Sequence, residues 1–422
     1  MATTKDTRVA ITGLGLLTAN GSTTAENWQR FSGGRSGIKP IKRFETDGLP
    51  VSFAGTVPPI CDDHTVGVDR HVAFSIHVGR EAINQARLKS TGGFPGPLFL
   101  AVPATEHPWE AAFEVANETM VGDHGLFDDP ARFADFNPEL VFRHRLDGEI
   151  ALQVNEVFGC QGVPLTTFTA CASGASALQF AVEAVRRGET DMALAIGCDA
   201  SLSAEMISRF ALLSALSQRK GDPEQASRPF SKDRDGFVIA EGAAAMVVES
   251  VESARKRGAQ ILAIVSGVGE AADDFHRTRS NPDGSSIVSC MSRAISDAKL
   301  VPEDIGYVNC HGTSTPENDK MEGLGINLLF GDHARSMPIS SNKSMIGHTL
   351  TAAGMVEAVV SILCLMEETL TPTINYHTPD PTLDFDVVPN EARASKVDHI
   401  LSNSFGFGGQ NVSLVLSSEA TL

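Results

Sequence analysis

The segment "TFTACASGAS", Thr167 to Ser176, carries one thiol in a run of almost exclusively small residues. Ala172, Ser173, Gly174 and Ala175 leave room behind Cys171 for another backbone or a ligand. The preceding "VPLTTF" has the β-branched, apolar character of a short strand. The following "ALQFAVEAVRRG" has helical periodicity and stops at Gly188. Cys171 is therefore expected at a strand-to-helix turn, beside a helix N-terminus. Free N–H groups and the helix dipole favour an anion there, so the thiol pKa is expected to fall and the sulfur to act as a nucleophile. A small, well-packed core cysteine also satisfies this stretch when it is taken alone.

Two histidines occupy comparable places. His311 in "VNCHGTSTPENDKMEG" follows the buried-type strand "IGYVN", at the strand's carboxyl end, where α/β sheets bind ligands. His348 lies in "SNKSMIGHTLTAAG", a turn of small residues before a helix. Histidine donates hydrogen bonds to developing negative charge and moves protons near neutral pH. Each histidine alone is more often a satisfied core or surface residue, but one cysteine and two histidines on equivalent edges of an α/β sheet shift the balance toward chemistry.

The elements that carry these residues repeat. "PLTTFTACASGASALQFAVEAVRRG" from Pro164 and "PISSNKSMIGHTLTAAGMVEAVVSILCLMEE" from Pro338 share an order of strand, small-residue turn and helix, with "AVEAV" in one and "MVEAV" in the other. "RVAITGLGLLTANG" and "QILAIVSGVGEAADD" open the two halves alike. This order implies a duplicated α/β unit whose seam lies near residues 250 to 260. "MALAIG" and "AAMVVES" read as strands buried on both faces, with helices covering them. Halves of 1–255, with the cysteine, and 256–422, with both histidines, follow from that seam. "TGLGLLTANG" holds Gly13 and Gly15 but lacks the third glycine and distant acid of a dinucleotide fingerprint. "SNSFGFGGQN" combines Gly406, Gly408 and Gly409 with Phe405 and Phe407, and has no lysine for a phosphate cradle.

Bulk composition narrows the classes. The 422 residues are 42% hydrophobic and 20% charged, an ordinary soluble balance. A formal net charge of −18 and the lack of a basic block argue against nucleic acid as a partner. "GMVEAVVSILCLMEE" is interrupted by Glu357 and fits a buried helix, so no membrane span is expected. The N-terminal residues lack the regions of a secretion signal. Seven scattered cysteines without a C-x-x-C pair imply a reducing, cytoplasmic setting and neither disulfides nor a metal site.

Taken together, "TACASGAS", "SRPFSKDRDGFVIAEGA", "NCHGTSTPENDKMEG", "SNKSMIGHTLTAAG" and "NSFGFGG" resemble, in order and over nearly the whole chain, the β-ketoacyl-acyl-carrier-protein synthases. The likeness is to the elongating Cys-His-His ketosynthases of fatty acid and polyketide biosynthesis. It implies the thiolase-like fold, a duplicated αβαβα core of five layers, in a homodimer or in a heterodimer with a related subunit. It further implies that Cys171 takes an acyl group, and that His311 and His348 support decarboxylation of malonyl-carrier protein and condensation. Lys343 would order the site with Glu357, and Asp319 would support it. Thr313 and Thr315 would hydrogen-bond the phosphopantetheine arm. Phe407 would gate the nucleophile and, with Cys171, supply the oxyanion-hole N–H groups, in a loop with Phe405 and Gly408. The partner would be acyl carrier protein, and no cofactor or metal would be needed.

The chain also departs from that family. A glycine-rich segment expected before the nucleophile is replaced by "FLAVPATEHPWEAAFEVANE". From Pro103 to Leu146, the residues Trp109, Phe113, Phe127, Phe133 and Phe136 are expected either to close or bend the acyl tunnel or to pack a dimer interface. Arg70, Arg209, Arg219 and Lys220 stand as candidates for carrier docking. The alternative reading is a non-catalytic, chain-length-factor-like partner subunit, which would lack the nucleophile. A chain-initiating Cys-His-Asn synthase conflicts with His348. A degradative thiolase would need a second cysteine near the C-terminus.

Overall fold

The structure, a computed structural model, describes residues 8–60, 69–89, 91–103 and 148–422. The segment holding Trp109, Phe113, Phe127, Phe133 and Phe136 lies outside the described residues, so the expectations for it are not addressed.

The first half runs β1 (Val9–Leu17), α1 (Thr24–Ser32), β2 (Ile38–Pro40), β3 (Phe53–Gly55), α2 (Arg70–Gln85) and β4 (Leu98–Ala101). It continues with α3 (Glu149–Phe158), β5 (Leu165–Thr167), α4 (Ser173–Arg186), β6 (Met192–Asp199), α5 (Ala204–Leu212) and β7 (Gly242–Ser250). After α6 (Val251–Lys256) come β8 (Ala263–Ala272), α7 (Ser285–Asp297), β9 (Tyr307–Asn309) and α8 (Pro316–Phe330). The chain then forms β10 (Ile339–Ser340), α9 (Lys343–Ile346), α10 (Ala353–Met366), β11 (Thr369–Leu370) and β12 (Arg393–Ala394). It closes with β13 (His399–Phe405) and β14 (Gln410–Ser417).

Ten strands form one hydrogen-bonded sheet in the order β10-β9-β13-β14-β8-β1-β7-β6-β4-β5. Read outward from the β1–β8 seam, each side repeats the other. β7 and β14 run antiparallel to their inner and outer neighbours, and the last three strands of each side are parallel. Helices α2 and α3 cover one outer face, α7 and α8 the other, and α4 packs on α10 between the halves. This is the duplicated α/β unit expected from the repeat, in the five-layer arrangement that the resemblance implied. α10 is buried on every face along almost its full length, Glu357 and Ser361 included, as its central layer demands.

The glycine pairs that open each half act in packing. A Cβ on Gly13 or Gly15 would lie 2.0 Å from the carbonyl oxygens of Ala82 and Val78 in α2. A Cβ on Gly267 or Gly269 would lie 2.1 and 2.2 Å from those of Ala294 and Cys290 in α7. The partial dinucleotide pattern is thus a strand-to-helix contact, made once in each half. The central helices cross just as closely. A Cβ on Gly174 would sit 2.6 Å from Met355 N, and one on Gly354 would sit 2.7 Å from Ala175 N. This crossing holds the two small-residue turns face to face.

Candidate active site

Cys171 stands at the turn from β5 into α4. Ala170 before it has a left-handed φ of 48°, a strained posture for a residue with a side chain. Ser173 holds it there: its hydroxyl donates to Ala170 O at 2.6 Å and accepts from Thr169 N at 2.8 Å. The second turn repeats the posture, with Leu350 at φ 46° followed by Thr351. The backbone twin of the cysteine is therefore Thr351, whose hydroxyl donates to Asp199 Oδ2 and Cys198 O, each at 2.7 Å. His348 lies three residues earlier in that same turn.

The fold brings together the three residues singled out in the sequence. Cys171 Sγ and ring nitrogens of His311 and His348 all lie within 4.8 Å of one another. The two imidazoles meet edge to face with centroids 5.3 Å apart. Phe237 flanks His348 at 5.3 Å, and Phe405 flanks His311 at 5.8 Å. All three reactive groups line a cavity of about 390 Å³ that also includes Thr313, Thr315 and Phe407. Gly406 and Gly409 line it too, whereas Gly408 turns its N–H onto Arg277 O at 2.7 Å.

Lys343, at the start of α9, is buried behind His311. Its ammonium pairs with the Glu357 carboxylate, donates to His311 O at 2.6 Å and lies 3.4 Å from His311 Nδ1. An ammonium at Nδ1 leaves the ring proton on Nε2. Among the described residues His348 Nδ1 is buried without a partner. An orphaned acceptor is tolerated better than an orphaned N–H, so this ring also carries its proton on Nε2. Burial and the Lys343 charge hold both imidazoles neutral, well below the ordinary histidine range; for His311, His348 adds to the effect. Burial raises Glu357 to about 7, against the pull of Lys343.

The thiol corrects an expectation. Burial pushes Cys171 up to about 11, although the Phe407 backbone hydrogen bond and the Lys343 charge act the other way. Asp199 and Glu357 add to the rise. The helix terminus was expected to prevail, yet the protein around the sulfur outweighs it. At neutral pH the Cys171 sulfur therefore rests as a thiol.

The loop bearing His311 depends on carboxylates inside α8. Glu322 accepts from His311 N at 2.8 Å and Gly312 N at 2.7 Å, and Asn403 binds its Oε1 at 3.2 Å. Asp319 accepts from Phe230 N at 2.8 Å and Ser314 N at 3.2 Å. Asp319 was singled out beforehand and Glu322 was not. The available signal was the spacing of three between two acids in "NDKMEG", which puts both on one helix face. Thr313 and Thr315 hydroxyls bond each other at 2.8 Å on the cavity wall. Three of the four docking candidates are engaged: Arg70 pairs with buried Glu241, Arg209 with Glu205 and Arg219 with Asp233, while Lys220 is exposed.

A duplicated five-layer sheet with a thiol and two neutral imidazoles at its crossing defines a thiolase-like condensing enzyme. Residues 6–92 and 114–254 match the family described as Beta-ketoacyl synthase, N-terminal domain, and 262–377 match its C-terminal domain. The chain belongs to the beta-ketoacyl synthase family and is a condensing acyltransferase. It is 36% identical to the 3-oxoacyl-[acyl-carrier-protein] synthase 2 of Coxiella burnetii, over 97% of this chain and 98% of that one. It is 37% identical to the enzyme of the same name from Synechocystis, over 98% and 99%. A solved type II PKS ketosynthase, in complex with its acyl-carrier protein and bound to the hexaketide, is 30% identical and aligns with a TM-score of 0.87. That alignment covers 98% of this chain and 100% of the other.

Proposed function

We propose that the chain joins a Cys171-bound acyl group to malonyl-acyl-carrier protein, with Cys171, His311, His348 and Lys343 as its working residues. The observation that carries the reading is the meeting of Cys171 Sγ with both ring nitrogens within 4.8 Å on the cavity wall. The sulfur attacks the acyl thioester, and its proton ends on the departing carrier thiol. The N–H groups of Cys171 and Phe407 bear the tetrahedral oxyanion. The burial that disfavours a thiolate favours the neutral acylated sulfur. The malonyl thioester then loses CO2, and the two Nε2–H groups hydrogen-bond the enolate oxygen. The carbanion forms the new C–C bond, and the Cys171–acyl bond breaks to leave a thiolate. The α4 N-terminus, Phe407 N–H and Lys343 stabilise that thiolate until it takes a proton from water. Thr313 and Thr315 are placed to bind the arm's amides, and Phe407, with Phe405 and Gly408, to admit the acyl chain. The chemistry needs no metal or organic cofactor.

Residues 1–255 and 256–422 serve as the two units, nucleophile in one and histidines in the other. The chain acts as a dimer through the edge strand β5. Among the described residues that strand has one side unpaired, with Val163, Leu165, Phe168 and Phe180 exposed around it. Such an edge is a template for pairing with a second chain. A cytoplasmic setting is supported by the six described cysteines, all free thiols. No helix among the described residues is long and apolar enough to cross a membrane. The complete Cys-His-His set weighs against the non-catalytic partner subunit.

Intact-mass measurement after incubation with acyl-carrier protein tests the assignment. Cys171→Ala is expected to remain unacylated. His311→Ala and His348→Ala are expected to load the acyl group and fail to condense it. Covalent loading of the Cys171→Ala protein would refute the reading.

A further inference from the structure

The loop after β8 forms one lip of the cavity, and His276, Arg277 and Arg279 line it there. Both arginines are exposed, and among the described residues no carboxylate lies within ion-pair distance of either. This sets them apart from Arg70, Arg209 and Arg219, whose charges are already matched. Of the nearby acids, Asp273 also lines the cavity but is buried, accepting from Phe275 N at 3.1 Å and Asn281 N at 2.9 Å. Asp274 is exposed outside the cavity lining, and Glu317 lines the cavity from the start of α8. The loop is held in place. Asp273 N donates to Gly409 O at 2.8 Å, and Gly408 N donates to Arg277 O at 2.7 Å. The Arg277 backbone is therefore tied to the loop that carries Phe407.

We infer that Arg277 and Arg279 form an anion subsite at the cavity mouth that takes the phosphodiester of the carrier's arm. The inference rests on the proposed use of carrier-bound thioesters. A guanidinium offers a fork of N–H donors that matches a phosphate's oxygens, and two forks two residues apart address one phosphate from neighbouring sides. In a chain of net charge −18, an unmatched cationic pair on the lip of the reactive cavity also selects for an anion locally. The threonines deeper in the cavity suit the neutral amides of the arm, so polar recognition changes from charged at the lip to neutral within. Exposed Leu213 lines the same cavity, and exposed Phe275 precedes the arginines in their loop, which leaves room for an apolar shoulder of the carrier protein.

The test compares three acyl donors on the wild type, Arg277→Ala/Arg279→Ala and a Lys256→Ala control: an acyl carrier protein, an acyl phosphopantetheine and an acyl pantetheine without phosphate. Initial rates of Cys171 acylation are read by intact mass. The wild type is expected to prefer the phosphorylated small donor. The double variant is expected to lose that preference about tenfold or more through KM, and the wild-type loss of preference in high salt should mirror it. Two results overturn the inference. An unchanged phosphate preference with a raised KM for the carrier protein alone makes the arginines a protein-docking pair. No change with any donor makes them solvated surface charges. Failure of the proposed function is distinguishable, because wild-type Cys171 would then accept acyl groups from none of the three.

Discussion

Lys343 and Glu357 set the charge environment of both histidines, so removing either partner should move the pH profile in opposite directions. The Lys343 ammonium lies 3.4 Å from His311 Nδ1. At an effective dielectric of about 20, a unit charge at that distance disfavours imidazolium by about 5 kcal/mol at most. Glu357, which burial raises to about 7, offsets part of this only while it is ionised. In the wild type both imidazoles stay neutral well below 6.5, so the acid limb of decarboxylation should lie low. Lys343→Met removes the cation, the histidine pKa values rise, and activity should fall away at a higher pH than in the wild type. Glu357→Gln leaves the cation unmatched and should keep the acid limb at or below the wild-type position. The assay is CO2 release from malonyl-carrier protein between pH 5 and 8. Circular dichroism at each pH checks folding, because breaking a buried pair costs about 3–5 kcal/mol of stability. An acid limb that stays put in Lys343→Met, or that rises in both variants, would refute the electrostatic argument.

Two further outcomes bear on the frame. Gly354→Ala puts a Cβ 2.7 Å from Ala175 N and Ser404 Oγ at the helix crossing. It should cost about 1–3 kcal/mol and lower Tm by several degrees in a thermal melt, and an unchanged Tm would show that the helices can part without loss. Leu165→Glu places a charge on the free edge of β5 and should yield a monomer in sedimentation; an unchanged dimer mass would move the interface elsewhere.

Local pattern revealed much of the site and little of its setting. The small residues after Cys171 implied a close neighbour, and Met355 N beside Gly174 is that neighbour. His311 and His348 were legible because each ends a recognisable strand-turn unit. Gly13 and Gly15 were set against a nucleotide motif because a sequence does not state what approaches a glycine; here it is α2. Glu322 was missed because an acid on a helix reads as solvated until the burial of that face is known. Arg70 was taken for a docking residue because its partner, Glu241, lies 171 positions away in the chain. The direction of the Cys171 shift failed for a related reason. A helix terminus is visible in sequence, whereas the depth of protein over the sulfur is a property of the whole fold.

The second turn, with Leu350 and Thr351, keeps the strained backbone of the first without its thiol. That posture is therefore a requirement of the architecture, independent of the reaction. The two turns meet where α4 and α10 cross, so neither can relax without disturbing the other. The nucleophile and its histidines belong to one cooperative unit even though 140 residues separate Cys171 from His311. A change that loosens either half degrades one shared apparatus, and such an enzyme loses its acylation and its condensation together rather than in turn.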